Sequence, residues 1–208
     1  VDSLGNILLS SLVFSPLLAI IVMAFIPSRH AGVIKQVGIY GTLPVLILAG
    51  WMFGMFNYET ANLQFVEKHS WISIPIGMAQ AGTVFAFEIN YELGIDGISM
   101  PLILLTAIIG TLAAIASWQI KKRQKEYFIL FHLLLIGMLG VFAADNLFLF
   151  FIFFELTLVP MYFLIGIWGY GEREQAANKF LLYNGIGSGI MLLAFIVIFV
   201  IMRTLNID

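Results

Sequence analysis

Cysteine is absent from the 208-residue chain. Disulfides, thiolate metal sites and cysteine-ligated iron–sulfur clusters within this chain are thereby excluded, although the absence identifies no compartment. Charge is scarce as well: Asp, Glu, Lys and Arg make up 11% of the residues, against about 25% in a soluble domain. Histidine occurs only at positions 30, 69 and 132, too far apart in sequence for a local metal site. A net charge of −2 says nothing about partners, because the charges are segregated along the chain. What fills the space is apolar: 61% of the residues are hydrophobic and 19 are Phe.

The apolar residues fall into runs that reach the roughly 20 residues needed to span about 30 Å of hydrocarbon as a helix. Six spans are read, at 7–26, 35–56, 98–118, 127–144, 147–168 and 176–201. The first does not have the pattern of a cleavable leader. No basic residue precedes it, and Pro27-Ser28-Arg29 follows where a small-residue cleavage site would stand. The fold class is therefore an all-α polytopic membrane protein with six transmembrane helices and a small external β-hairpin in the 57–97 loop.

Orientation follows from the basic residues. With the N-terminus outside, the inner loops hold Arg29, Lys35, Lys121, Lys122, Arg123, Lys125 and Arg173, and only Lys68 and Arg203 lie outside. The reverse orientation inverts the positive-inside bias, so both termini are expected on the outer side. In the 57–97 loop, Phe85, Phe87, Ile89, Tyr91 and Leu93 alternate with Ala86, Glu88, Asn90 and Glu92. Ile72, Ile74 and Ile76 alternate in the same way. Period two predicts strands with one buried face, and the Gly77–Gly82 region predicts the turn of a hairpin across the outer helix ends.

Glu155 is the informative exception. It lies about 12–14 Å from the outer end of the fifth span at the helical rise, close to the bilayer midplane. An ionisable residue there costs about 2.5–3.5 kcal/mol, and each surrounding Leu, Ile, Phe or Val returns about 0.3–0.6. The span inserts despite the carboxyl group and gains nothing from it. Such residues commonly face an ion pathway; the structural alternative is a protonated Glu hydrogen-bonded between helices. Pro160 frees a backbone carbonyl one turn below and is expected to kink the helix. Tyr162 is a further candidate for a hydrogen-bonded line, on the same face two turns inward.

In the sixth span, Lys179 lies only about 5–6 Å inside the inner end, with Tyr183 at i+4 and Asn184 beside it. A snorkelling Lys accounts for that position equally well. Gly185 and Gly189 form a small-xxx-small surface. Lys179 and Glu155 differ in depth by about 12 Å or more, so waters or other side chains must bridge them. His132 in the fourth span is either a relay member or a neutral, hydrogen-bonded His.

The segments "ELGIDGISMPLILLTAIIGTLAAIASW" and "DNLFLFFIFFELTLVPMYFLIGIWG", with "AANKFLLYN" after them, resemble the M-type (chain 4) antiporter-like subunit of respiratory complex I, the proton-translocating NADH:quinone oxidoreductase. The resemblance covers nearly the whole chain. It implies proton pumping coupled to electron transfer through a buried Glu/Lys relay, with Glu155 on the family's fifth-helix glutamate and Lys179 on a basic position of the sixth helix. Asp96 falls in the motif that opens the third span; by itself it reads as a helix cap. NADH, FMN, iron–sulfur clusters and quinone are expected in other subunits, with none in this chain, which is part of an enzyme without holding its redox site. The implied partners are other membrane-arm subunits and the lipid bilayer, not nucleic acid. The implied location is a bacterial plasma membrane, or a mitochondrial inner or other organelle membrane.

Family members normally have about fourteen spanning helices in two inverted repeats. Six spans are expected to form an N-terminal fragment, with 1–126 as a three-helix region and 127–208 as the opening of the first repeat. The lysine helix that pairs with the family glutamate then lies beyond Asp208. A D-type subunit of a Na⁺/H⁺ antiporter, or a truncated non-catalytic assembly protein, are the alternatives.

Overall fold

The computed structural model describes residues 2–60, 62–78 and 84–205. Its elements are α1 (Asp2–Phe25), α2 (Ala31–Tyr40), α3 (Leu43–Met55), β1 (Gln64–Met78), β2 (Val84–Ile95), α4 (Ser99–Ala116), α5 (Gln124–Ala143), α6 (Leu147–Trp168) and α7 (Arg173–Leu205). Among the described residues, six helical stretches are long and apolar enough to cross a membrane. The protein is thus a mostly helical integral membrane protein with one two-stranded antiparallel sheet.

The second span is broken where an unbroken helix over 35–56 is expected. Pro44 has no N–H, so the Tyr40 carbonyl loses its donor four residues on. The chain tightens instead: Gly41 N–H donates to the Val37 carbonyl at 2.8 Å, and Thr42 N–H donates to that of Ile39 at 3.1 Å. The Thr42 hydroxyl also donates to the Ile39 carbonyl at 2.8 Å. In α1, Pro16 creates the same deficit at Leu12, and the buried Ser15 hydroxyl fills it by donating to the Leu12 carbonyl at 3.0 Å.

The hairpin is longer than its alternating core suggested. β1 and β2 pair over Gln64↔Ile95 to Met78↔Val84, with irregularities at Gln64/Glu67, Ser70/Ile72 and Pro75/Gly77. Those bulges shift the phase of β1, so alternation marks only part of the strand. The pairs Ile72↔Ile89 and Ile74↔Phe87 place the two in-phase sets on one side. The expected turn lies largely outside the described residues. At the hairpin's base, Leu93 and Ile95 are fully buried and join a core with Leu12 of α1, Val45 and Met52 of α3, and Leu139 of α5. Asp145 N–H donates to the Glu92 carbonyl at 3.1 Å, which ties β2 to the start of α6.

At the other end of the bundle, basic side chains close helix C-termini. Lys125 Nζ donates to the carbonyls of Ala24 (2.7 Å) and Ile26 (3.0 Å) at the end of α1. Lys35 Nζ donates to the Trp118 carbonyl at 2.6 Å, past the end of α4. Arg173 Nη1 donates to the Ile167 carbonyl at 3.1 Å, in the last turn of α6. Each cation meets the negative end of a helix dipole and an otherwise unpaired carbonyl.

Candidate functional site

The helix that carries Glu155 is held at both ends and along one face. Asn146 caps α6 by accepting from the Phe148 N–H at 2.8 Å. Along its length α6 lies against α5 at two glycines. A Cβ on Gly140 would stand 2.2 Å from the Phe153 ring, and one on Gly137 2.7 Å from Thr157. A cavity of about 230 Å³ beside this contact is lined by apolar side chains and Thr157, and Glu155 is not among them. α6 continues through Pro160, which is buried.

Glu155 sits on a different stripe, one turn from Val159 (52% exposed) and in line with the exposed Phe148 and Phe163. Its side chain is half-buried, but the Oε1 atom is sealed and has no hydrogen-bond partner. A buried polar atom without a partner is uncommon enough to require a reason.

The Tyr162 hydroxyl donates to Asn178 Oδ1 at 3.2 Å and sets the register of α6 against α7. Counting outward from that bond places Glu155 level with Gly185. Lys179 lies level with Met161, six residues or about 9 Å inward of Glu155. That separation is less than the roughly 12 Å read from the helix ends, because the bond fixes a closer register. It still rules out direct pairing. Lys179 and Tyr183 (72% exposed) occupy the face of α7 away from α6, whereas Ala177 and Ser188, on the near face, are buried. The structure therefore brings Tyr162 onto α7 and leaves Lys179 and Tyr183 apart from Glu155. Asn184 donates to the Phe180 carbonyl of its own helix at 2.9 Å.

His132 is fully buried in α5, on the side facing α1 and α2. Its Nδ1 lies 2.8 Å from the Phe128 carbonyl oxygen. Asp96 Oδ1 accepts from the N–H groups of Ile98 (3.0 Å) and Ser99 (2.6 Å) ahead of α4. These bonds, led by that of Ser99, hold its carboxyl below the usual carboxylate range. Among the described residues, no group of three or more His, Cys, Asp or Glu is arranged to hold a metal.

One polar cluster was not singled out from sequence. Glu67 of β1 is 2% exposed and accepts from the N–H of Leu9 at 2.7 Å and of Ser10 at 3.2 Å. The Ser10 hydroxyl also donates to Glu67 and lies 2.8 Å from the Tyr91 hydroxyl. Burial and the Glu67 charge hold the Tyr91 phenol above its ordinary value. Glu67 pairs with the buried Leu93, so the strand register could have exposed it.

With this geometry in place, similarity to known proteins is informative. A family model described as NADH-ubiquinone oxidoreductase chain 4, amino terminus, matches residues 39–142. The chain belongs to that family. A second model, NADH:quinone oxidoreductase/Mrp antiporter, TM, matches residues 144–208. Among chain 4 relatives, the chloroplastic NAD(P)H-quinone oxidoreductase chain 4 of Mesostigma viride is 37% identical over 187 residues, covering 89% of this chain and 34% of the relative. NADH-quinone oxidoreductase subunit M of Rhodobacter capsulatus is 36% identical over 205 residues, covering 96% of this chain and 37% of the relative. The chain thus spans about a third of the length of the curated relatives it matches. Respiratory complex I from Thermus thermophilus contains a chain that shares the fold, with TM-score 0.60 and 24% identity over 88% of this chain and 34% of that one. A chain of the archaeal membrane-bound sulfane sulfur reductase shares it too, with TM-score 0.63 and 24% identity over 91% of this chain and 35% of that one.

Proposed function

We propose that this chain forms the N-terminal part of a proton-translocating membrane subunit of NADH:quinone oxidoreductase, in which Glu155 takes up and releases a proton near mid-membrane. The observation that carries this reading is the Glu155 Oε1 atom, buried and unpartnered on an open face of α6. A carboxyl oxygen in that state has an unused acceptor site at the depth where an ionisable group is most costly. Names borne by the relatives support the coupling to NADH oxidation and to quinone. The redox groups and quinone belong to other subunits in this reading. Its partners are other membrane-arm subunits and lipid, and 127–208 opens the first inverted repeat.

Both termini face the outside in this account. The helix ends capped by Lys125, Lys35 and Arg173 then lie together on the inner side, as the positive-inside bias requires. Lys179 serves as a second proton site nearer that side. It faces away from α6, so a proton passing between it and Glu155 travels over water or further side chains. Tyr162 and Asn178 mark the level such a path crosses.

The test is Glu155→Gln in the full-length subunit within the assembled complex, with proton uptake and NADH oxidation measured together. Loss of pumping on the order of 100-fold is expected, the upper part of what a positioned proton carrier contributes, with partial recovery in Glu155→Asp. Pumping at the wild-type ratio in Glu155→Gln would overturn the proposal. The similarity of 144–208 to a model shared with Mrp antiporters keeps a Na⁺/H⁺ exchanger as the second reading. Sodium-dependent proton flux without NADH would favour that alternative.

A further inference from the structure

We propose that the Nε2 atom of His132 is a second proton-holding site, which binds a water molecule at the break between α2 and α3 and is given access by Gly41. The proposal rests on the proton-translocating reading above. His132 is fully buried, and its Nδ1 lies 2.8 Å from the Phe128 carbonyl oxygen. A carbonyl can only accept, so Nδ1 carries the proton. In the neutral ring Nε2 then presents a lone pair, and it has no hydrogen-bond partner. Buried acceptors of this kind in native proteins are met by protein donors or by ordered water.

The surroundings of Nε2 point to the α2–α3 break. A Cβ on Gly41 would stand 2.8 Å from Nε2, 2.9 Å from the Val37 carbonyl oxygen and 2.4 Å from the Ala19 Cβ. The Gly41 backbone has φ −64° and ψ −17°, which any residue adopts, so glycine is required here for space and not for conformation. It lets the break lie directly against the imidazole. The same break frees the Tyr40 carbonyl, because Pro44 has no N–H to offer it. On the far side of Gly41 and Ala19 lies a groove of about 350 Å³ whose lining includes the polar side chains of Ser15, Gln36 and Tyr40. A donor to Nε2 must therefore be small, and it meets backbone acceptors as well as the ring; water meets both conditions. An excess proton arriving on that water moves to the Nε2 lone pair and leaves a neutral water and an imidazolium. The Nδ1–H bond to Phe128 is kept throughout, and the reverse step returns the proton.

The test uses the assembled complex with ¹⁵N-labelled histidine. Solid-state NMR is expected to show His132 as the Nδ1–H tautomer, with Nε2 hydrogen-bonded and exchanging magnetisation with water. An Nε2 resonance of a free imine nitrogen without water contact would overturn the proposal, whatever the variants do. In function, His132→Gln and Gly41→Ala are expected to lower protons moved per NADH several-fold. Gly50→Ala, whose added methyl meets nothing within 4 Å, is expected to leave that ratio unchanged. Unchanged pumping in His132→Gln would also overturn it. Failure of the Glu155→Gln test is a separate result: it removes the pumping reading and leaves the NMR result for His132 standing on its own.

Discussion

Two spans of similar apolar character are treated differently by this fold. Half of the apolar stretch of α5 is buried, but only 6% of that of α7. Apolarity decides that both enter the membrane; small residues decide what they touch. In α5, Gly137 and Gly140 admit Thr157 and Phe153 of α6, and Gly41 presses against His132 from the other side. In α7, added Cβ atoms at Gly185, Gly187 and Gly189 would meet nothing within 4 Å. The polar groups follow suit. His132 is sealed among tightly fitted helices, whereas Glu155 and Lys179 lie on faces that the described residues leave partly or wholly open. Substitutions in α5 should therefore act first on folding and assembly, and those on the open faces of α6 and α7 on transport.

The sharpest way to break this contrast is to enlarge a glycine on each side. Gly140→Leu drives a side chain into the Phe153 ring and is expected to cost at least about 1–3 kcal/mol, with most assembled complex lost on native electrophoresis. Gly187→Leu is expected to assemble normally; equal loss in both would dissolve the distinction. Next in size is Glu67→Ala. It strands two α1 N–H groups and the Ser10 hydroxyl, at about 1–3 kcal/mol, so protease cutting of the hairpin should accelerate while NADH oxidation changes less. Asp96→Ala removes the bonds ahead of α4 and is expected to cost about 1 kcal/mol. Because the Asp96 carboxyl is held below its usual range, that contribution is present above the ordinary Asp pKa. It fades as pH falls through the lowered folded value, and a thermal-stability series in acid would show whether the variant loses this dependence. Smallest is Lys35→Ala, which uncovers the Trp118 carbonyl for about 0.3–1 kcal/mol. It is expected to lower melting temperature slightly without altering proton stoichiometry.

Much of this arrangement was legible in the residues themselves. Spans announce themselves by length, and the phase shared by Ile72, Ile74, Phe87 and Ile89 announces the hairpin. Glu155 stands out because nothing else in its run is charged. The α2–α3 break was less visible: Pro44 was there to be read, but an apolar run continuous across Gly41 concealed it. Glu67 was hidden for another reason. Its neighbours become predictable only once the bulges fix which β1 residue meets Leu93. The direction in which Lys179 points depends on the register set by Tyr162 and Asn178, and no periodicity within α7 specifies that. Lys35 and Lys125 read as topology signals, and their second use as helix caps requires knowing which helix end lies beside them.

The central claim is that Glu155 changes protonation during turnover. Infrared difference spectroscopy of the assembled complex, comparing the resting enzyme with NADH-driven turnover, addresses it directly. The account predicts a protonated-carboxyl band that shifts or changes amplitude on turnover, disappears in Glu155→Gln and survives in Lys179→Ala. A difference spectrum in which Glu155→Gln removes no carboxyl band, from a complex that still turns over, would contradict it.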